Sequence, residues 1–155
     1  MEKFEDSFLK AKRHLQIADH MVYVTYGLVK DPRLLLSVLD NVFLAFTNSM
    51  SSILHYENLF KRVPPFPDNF EAKFALFRES CLSRYNIHKD YLPLMRELKG
   101  LIVAHKKSPV EFARNDRFVI CSDDYRMQVI SVEQIKCYVA QAKLFIQDIS
   151  VIIKR

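Results

Sequence analysis

The sequence predicts a mainly α-helical fold: five helices in an up-and-down bundle, with a small β-hairpin inserted before the last helix. Three observations carry that prediction. Apolar residues recur in steps of three and four over long stretches, the spacing of one helix face. Gly27 and Gly100 are the only glycines among 155 residues, whereas sheet proteins with many tight turns need residues that tolerate positive φ. Helix starts also recur as a small polar residue followed by proline, or by glutamate or glutamine three positions on. Half the residues are apolar and 26% are charged, an ordinary globular balance for one domain spanning residues 1–155.

The first helix is predicted over Lys3 to Val29, where Phe4, Phe8, Ala11, Leu15, Ala18, Val22, Thr25 and Val29 form a continuous stripe. Asp31-Pro32 opens the second, which runs to about Phe60. From Leu34 to Phe46 it is apolar almost all round, the mark of a central helix. A polar line through Ser37, Asn41, Asn48, Ser52 and His55 is expected to face solvent or to bond back within the helix.

The connector Val63-Pro64-Pro65-Phe66-Pro67 ends that helix. Asp68 with Glu71 is expected to cap the third helix, whose apolar face is Phe70, Phe74, Phe77 and Cys81. The fourth is predicted from Lys89 to His105, with Tyr91, Met95, Leu98, Ile102 and His105 on one face. Ser108-Pro109-Val110-Glu111 reads as a further capping box opening a short helical turn. Phe118–Cys121 and Met127–Ile130, joined through Ser122-Asp123-Asp124, form the predicted hairpin. Ser131 with Gln134 caps the last helix, along which Ile135, Val139, Ala142, Ile146, Ile149 and Ile153 repeat.

Much chemistry is excluded. Two glycines cannot build a Walker loop or a dinucleotide fingerprint. There is no GxSxG, no HExxH, and no glutamate followed three positions later by histidine. Cys81, Cys121 and Cys137 have neither CxxC nor zinc-like spacing. They are expected to be small buried side chains in a reducing compartment. No cofactor or metal is predicted. The N-terminus MEKFEDSFLK has no apolar signal core, and Ser37, Asp40 and Asn41 interrupt the Leu34–Phe46 run. A cytoplasmic protein without a bilayer span is therefore expected.

The net charge is +5, a mild bias toward anionic partners. Residues 96–117 concentrate it: Arg96, Lys99, Lys106, Lys107, Arg114 and Arg117, against Glu97, Glu111 and Asp116. His105 ends a helix in their midst and could serve there as an acid or base. Such a cluster grips phosphate through charge and arginine forks, and Phe112 and Tyr125 could stack single-stranded bases. It is equally an ordinary solvated face around a packed histidine.

The order of elements resembles the HEPN superfamily of small helical bundles: two long opening helices, a short third, a late helix carrying an Arg-to-His motif, and a closing helix. The resemblance implies an RNA- or nucleotide-associated module, commonly a homodimer. In the nuclease members, an arginine and a histidine separated by four to six residues assist attack of the ribose 2′-hydroxyl on phosphate across the dimer. The matching segment here is Lys99-Gly100-Leu101-Ile102-Val103-Ala104-His105. Lysine stands where the family has arginine, and Gly100 replaces the usual polar residue after it. Lysine lacks the bidentate fork, which implies an impaired relative of a metal-independent endoribonuclease. On this reading Lys99 and His105 are the catalytic candidates, and Arg96, Lys106, Lys107, Arg114 and Arg117 hold RNA or another anion. Two alternatives stand beside it. One is a helical interaction or oligomerisation domain without enzymatic activity. The other is a small-molecule binder lined by phenylalanines and tyrosines.

Overall fold

The computed structural model describes residues 2–107, 110–114, 117–121 and 127–154; side chains are described for all of these except 107, 110–114, 121 and 127. Among the described residues the fold is a bundle of five helices with a small antiparallel sheet before the last. Helix α1 covers residues 3–29, as Lys3–His20, a wide π-helical turn at Met21–Thr25, and Tyr26–Val29. Helix α2 is Leu34–Leu59. Helix α3 covers residues 70–81, Phe70–Leu76 followed by a second π-helical turn, Phe77–Cys81. Helix α4 is Tyr91–Lys107 and α5 is Val132–Ile153.

Helix α2 is the axis. Leu35, Val38, Leu39, Val42, Ala45, Phe46, Met50, Ile53 and Leu54 are all buried, because helices lie around most of its circumference. By length and composition α2 could also cross a membrane, with 56% of its most apolar stretch buried in the bundle. One aromatic from each of four helices meets beside it. Phe145 of α5 lies 5.3 Å from Phe46, 5.6 Å from Phe77 and 4.8 Å from Tyr91, between ring centres. These rings close the centre of the bundle.

The polar line of α2 is not a solvent-facing strip. It partly bonds back, Asn41 Nδ2 donating to the Ser37 carbonyl and Asn48 Nδ2 to that of Leu44. It also ties α1 down: Ser52 Oγ donates to the Phe4 carbonyl at 2.7 Å, and Asn41 Oδ1 lies 2.9 Å from His14 Nδ1. His55 is half-buried with its ring 4.9 Å from that of Phe66, and burial holds its pKa below the usual imidazole value.

Chain reversals without glycine place other residues in the left-handed region. Lys30 closes α1 at φ 55°, and Lys61 follows α2 at φ 59°. The second forms a Schellman closure, in which Lys61 N–H donates to the Asn58 carbonyl and Arg62 N–H to that of Glu57. The turn folds Arg62 back over Glu57, a carboxylate with no exposed surface. Arg62 grips it with two hydrogen bonds of 2.8 and 3.2 Å; Arg84 Nε lies at 3.6 Å, and the Tyr85 hydroxyl donates to it. One buried acid thus fastens the end of α2 to the connector and to the turn after α3. Burial in this corner, reinforced by Glu57, pushes the Cys81 thiol and the Tyr85 phenol up to about 12.

Four local expectations are corrected. Asn69, not Asp68, caps α3, its Oδ1 accepting from Ala72 N–H at 2.9 Å; Asp68 instead pairs with Lys73. Asp31 caps a turn that precedes α2, so the regular helix begins at Leu34. Cys137 is exposed, whereas Cys81 is buried. Finally, the segment after α4 is a strand rather than a helical turn. Strand β1 (Val110–Arg114) pairs antiparallel with β2 (Arg117–Cys121), which pairs with β3 (Met127–Ser131). Ser108-Pro109 and the Ser122-Asp123-Asp124 turn lie outside the described residues. The reason for β1 is visible in β2. Phe118, Val119 and Ile120 are all buried, so β2 is covered on both faces and both its backbone edges need partners. Ser131 then caps α5 as expected, accepting from Gln134 N–H.

Removing the central ring tests this packing: Phe145→Ala is expected to lower unfolding free energy by roughly 3–5 kcal/mol in urea titrations. Glu57→Ala, which leaves Arg62 and Arg84 without their buried partner, is expected to lower Tm by roughly 5–10 °C.

Candidate functional site

The motif segment lies on α4, and its two candidates point to different neighbours. Six residues along a helix turn the side chain by about 240°, so Lys99 and His105 cannot share one face. Both nevertheless meet the same stretch of α2. The Lys99 amine lies 5.7 Å from the ring centre of Phe43 on α2 and 5.6 Å from that of Phe70 on α3. Phe43, Phe70 and Phe74 form a row with centres 5.4 and 5.3 Å apart. Arg96 covers the far end of the row, 4.3 Å from the centre of Phe74, and donates to Glu71 Oε1 at 2.7 Å. That hydrogen bond, with the nearby Lys99 charge, holds the Glu71 carboxyl below its usual pKa. Arg96 and Lys99 are thus seated on aromatic faces by cation–π attraction.

His105 lies at the other end of α4. It is half-buried, edge-on to Phe118 of β2 with ring centres 6.4 Å apart. Across from it is Asp40 of α2, one turn before Phe43. Burial raises the Asp40 pKa above its ordinary 3.8, and the charges of His105 and Lys106 pull it back down. Lys106 is exposed. A carboxylate on α2 therefore feels the charges of an imidazole and an ammonium group at the end of α4. Such a set can hold an imidazole in orientation, pass a proton and attract an anion.

Arg117 does not join this group. Arg117 begins β2 and is exposed. Since successive strand residues point to opposite faces, it projects away from the side on which Phe118 meets His105. It lines a separate cleft with residues of α1 and α5. Lys107 ends α4 and Arg114 ends β1, but their side chains lie outside the described residues, as do the Phe112 side chain and Tyr125. Among the described side chains, the stretch that reads as one basic patch along the chain is therefore divided in space among the aromatic row, the His105 corner and the Arg117 cleft.

Asp40 was not among the candidates from sequence. Its signal was present, an acid interrupting an apolar run, but only packing brings it to His105. The tyrosines and phenylalanines considered as a pocket lining are largely close-packed core. Among the described residues, no three histidine, cysteine or acidic side chains gather as a metal ion would require. Comparison with protein-family models, with curated proteins and with solved structures finds no match for this chain.

A carboxyl group whose pKa is raised by folding adds stability below its unfolded pKa, and that contribution is lost as pH rises through the folded value. Asp40→Asn is therefore expected to raise Tm at pH 7, with the difference from the parent protein shrinking to nothing below pH 3.8. Thermal melts across that range check it, and a lower Tm at pH 7 would mean that attraction to His105 and Lys106 outweighs burial.

Proposed function

We propose that this chain is an HEPN-like RNA- or nucleotide-associated module, cytoplasmic and homodimeric, that holds phosphate at the end of α4 and is impaired in cleavage. The observation that carries this reading is the grouping of Asp40, His105 and exposed Lys106 beside Phe118. It combines an anion-attracting charge with a titratable imidazole next to an aromatic ring. The impairment follows from Lys99. Its amine rests over Phe43 and Phe70, which suits a structural cation better than a partner of His105 in charge stabilisation. An arginine there would add a planar fork able to reach past the rings.

A second reading, an assembly domain without chemistry, is favoured by one observation. Cys137, Leu144 and Val151 are exposed at seven-residue intervals along α5, a spacing that suits packing against another helix.

Binding of a fluorescent uridine-rich RNA, followed by anisotropy over a salt series, separates the two. The RNA reading predicts that log affinity falls linearly with log salt, and that Lys106→Ala flattens the slope by about 0.7. Lys99→Ala/His105→Ala weakens binding further, and any cleavage seen in the parent protein is lost in that variant. An absence of binding at low salt, together with a stable oligomer by sedimentation, would replace this reading with the assembly domain.

A further inference from the structure

The cleft that holds Arg117 has a chemistry of its own. Its volume is about 520 Å³, and its walls come from α1, the start of β2 and the start of α5. On the α1 side the wall is the π-helical turn, closed by a bond from the Tyr26 N–H to the Met21 carbonyl. Turns of this kind insert an extra residue into a helix and recur at functional sites. Here Val22 and Tyr26 are buried, while Tyr23 keeps 53% of its surface open. Gly27 follows, and a Cβ built there meets nothing within 4 Å. The α1 wall thus offers a phenol ring beside open space.

The opposite wall is charged. Arg117 and Lys136 both line the cleft, facing one acid, Glu133. The Lys136 amine lies 5.3 Å and the Lys143 amine 5.7 Å from the Tyr23 ring centre. Among the described residues, neither Arg117 nor Lys136 forms an ion pair with a carboxylate, whereas neighbouring Lys143 is paired with Asp19 at 2.8 Å. An arginine fork and a lysine point charge lining one cleft are the donors that a phosphate monoester takes. A carboxylate beside them accepts from sugar hydroxyls, as acidic residues do at ribose. The half-exposed Tyr23 ring beside these lysines can stack a base in their place. The volume suits a single nucleotide.

We propose that this cleft binds a nucleoside 5′-monophosphate group, free or at the 5′ end of an RNA strand. Arg117 and Lys136 hold the phosphate, Glu133 the ribose and Tyr23 the base. The site shares no residue with the Asp40–His105–Lys106 corner, so it stands or falls independently of the function proposed for that corner.

The test is titration of the full chain with AMP, read by calorimetry and by backbone amide shifts. Saturable binding is expected, with the largest shifts at Tyr23, Gly27, Arg117 and Lys136. Arg117→Ala/Lys136→Ala is expected to weaken AMP by about tenfold or more. Gly27→Phe, which adds bulk at the cleft wall where nothing else stands, is expected to abolish binding while the thermal melt stays that of a folded protein. His105→Ala/Lys106→Ala is expected to leave AMP affinity unchanged. The proposal is overturned if millimolar AMP moves none of those four amides, or if both cleft variants bind as the parent does. Competition then identifies the source. A 5′-phosphorylated RNA that displaces AMP where its 5′-hydroxyl counterpart does not supports the strand end, and displacement by neither supports the free nucleotide.

Discussion

Helix α2 is apolar nearly all round over its first half and buried along most of its length, so it is stable in this fold only while other elements cover it. That constraint organises the rest. α1 lies along it, α5 covers another side, and α3 and α4 close the remainder through the rings of Phe77 and Tyr91, which meet Phe145 beside Phe46. The sheet sits where α4 has moved past the end of this enclosure, and its central strand is buried against the bundle through Phe118 and Ile120. With so much of the core assembled around one helix, most polar side chains on that helix find partners within the protein, whereas the buried Ser51 hydroxyl has none among the described residues.

The partners of the α2 polar residues are of distinct kinds. Asn41, Asn48 and Ser49 donate to carbonyls of their own helix. Ser52 reaches α1. Glu57 is wholly buried and is met by two arginines and a phenol. Asp40 is half-buried, and that burial, working against the charges of His105 and Lys106, is why its proton is held more tightly than usual. The difference is chemical as well as geometric. A carboxylate gripped by hydrogen bonds on both oxygens is a structural fastening. One that is partly desolvated beside an imidazole remains able to exchange a proton.

The cations are divided in the same way. Arg96 and Lys99 lie over phenylalanine rings and serve the packing of α3 against α2 and α4. Lys106 and Arg117 remain exposed at two separate places. The resemblance of the Lys99–His105 segment to a nuclease motif rests on spacing along one helix, and spacing says nothing about what each side chain meets. In the bundle Lys99 meets an aromatic row and His105 meets Phe118 and the field of Asp40.

Local periodicity and capping made much of the fold legible along the chain. The extents of α1 and α5, the Ser131 cap, the Phe118–Cys121 strand and its partner, and the central role of α2 all follow from three-and-four spacing, branched residues and turn chemistry. These signals act between residues close in the chain. Tertiary structure decided what depends on distant neighbours. Strand β1 forms because β2 has a second edge to satisfy, against a local signal for helix. Asn69 rather than Asp68 caps α3, leaving Asp68 to pair with Lys73. Asp40 comes within the field of His105 from another helix, and the described side chains of the basic stretch 96–117 are divided because helix and strand periodicities send them to different faces. The cleft of Tyr23, Arg117 and Lys136 joins residues from the beginning and the end of the chain, a juxtaposition that no local pattern encodes.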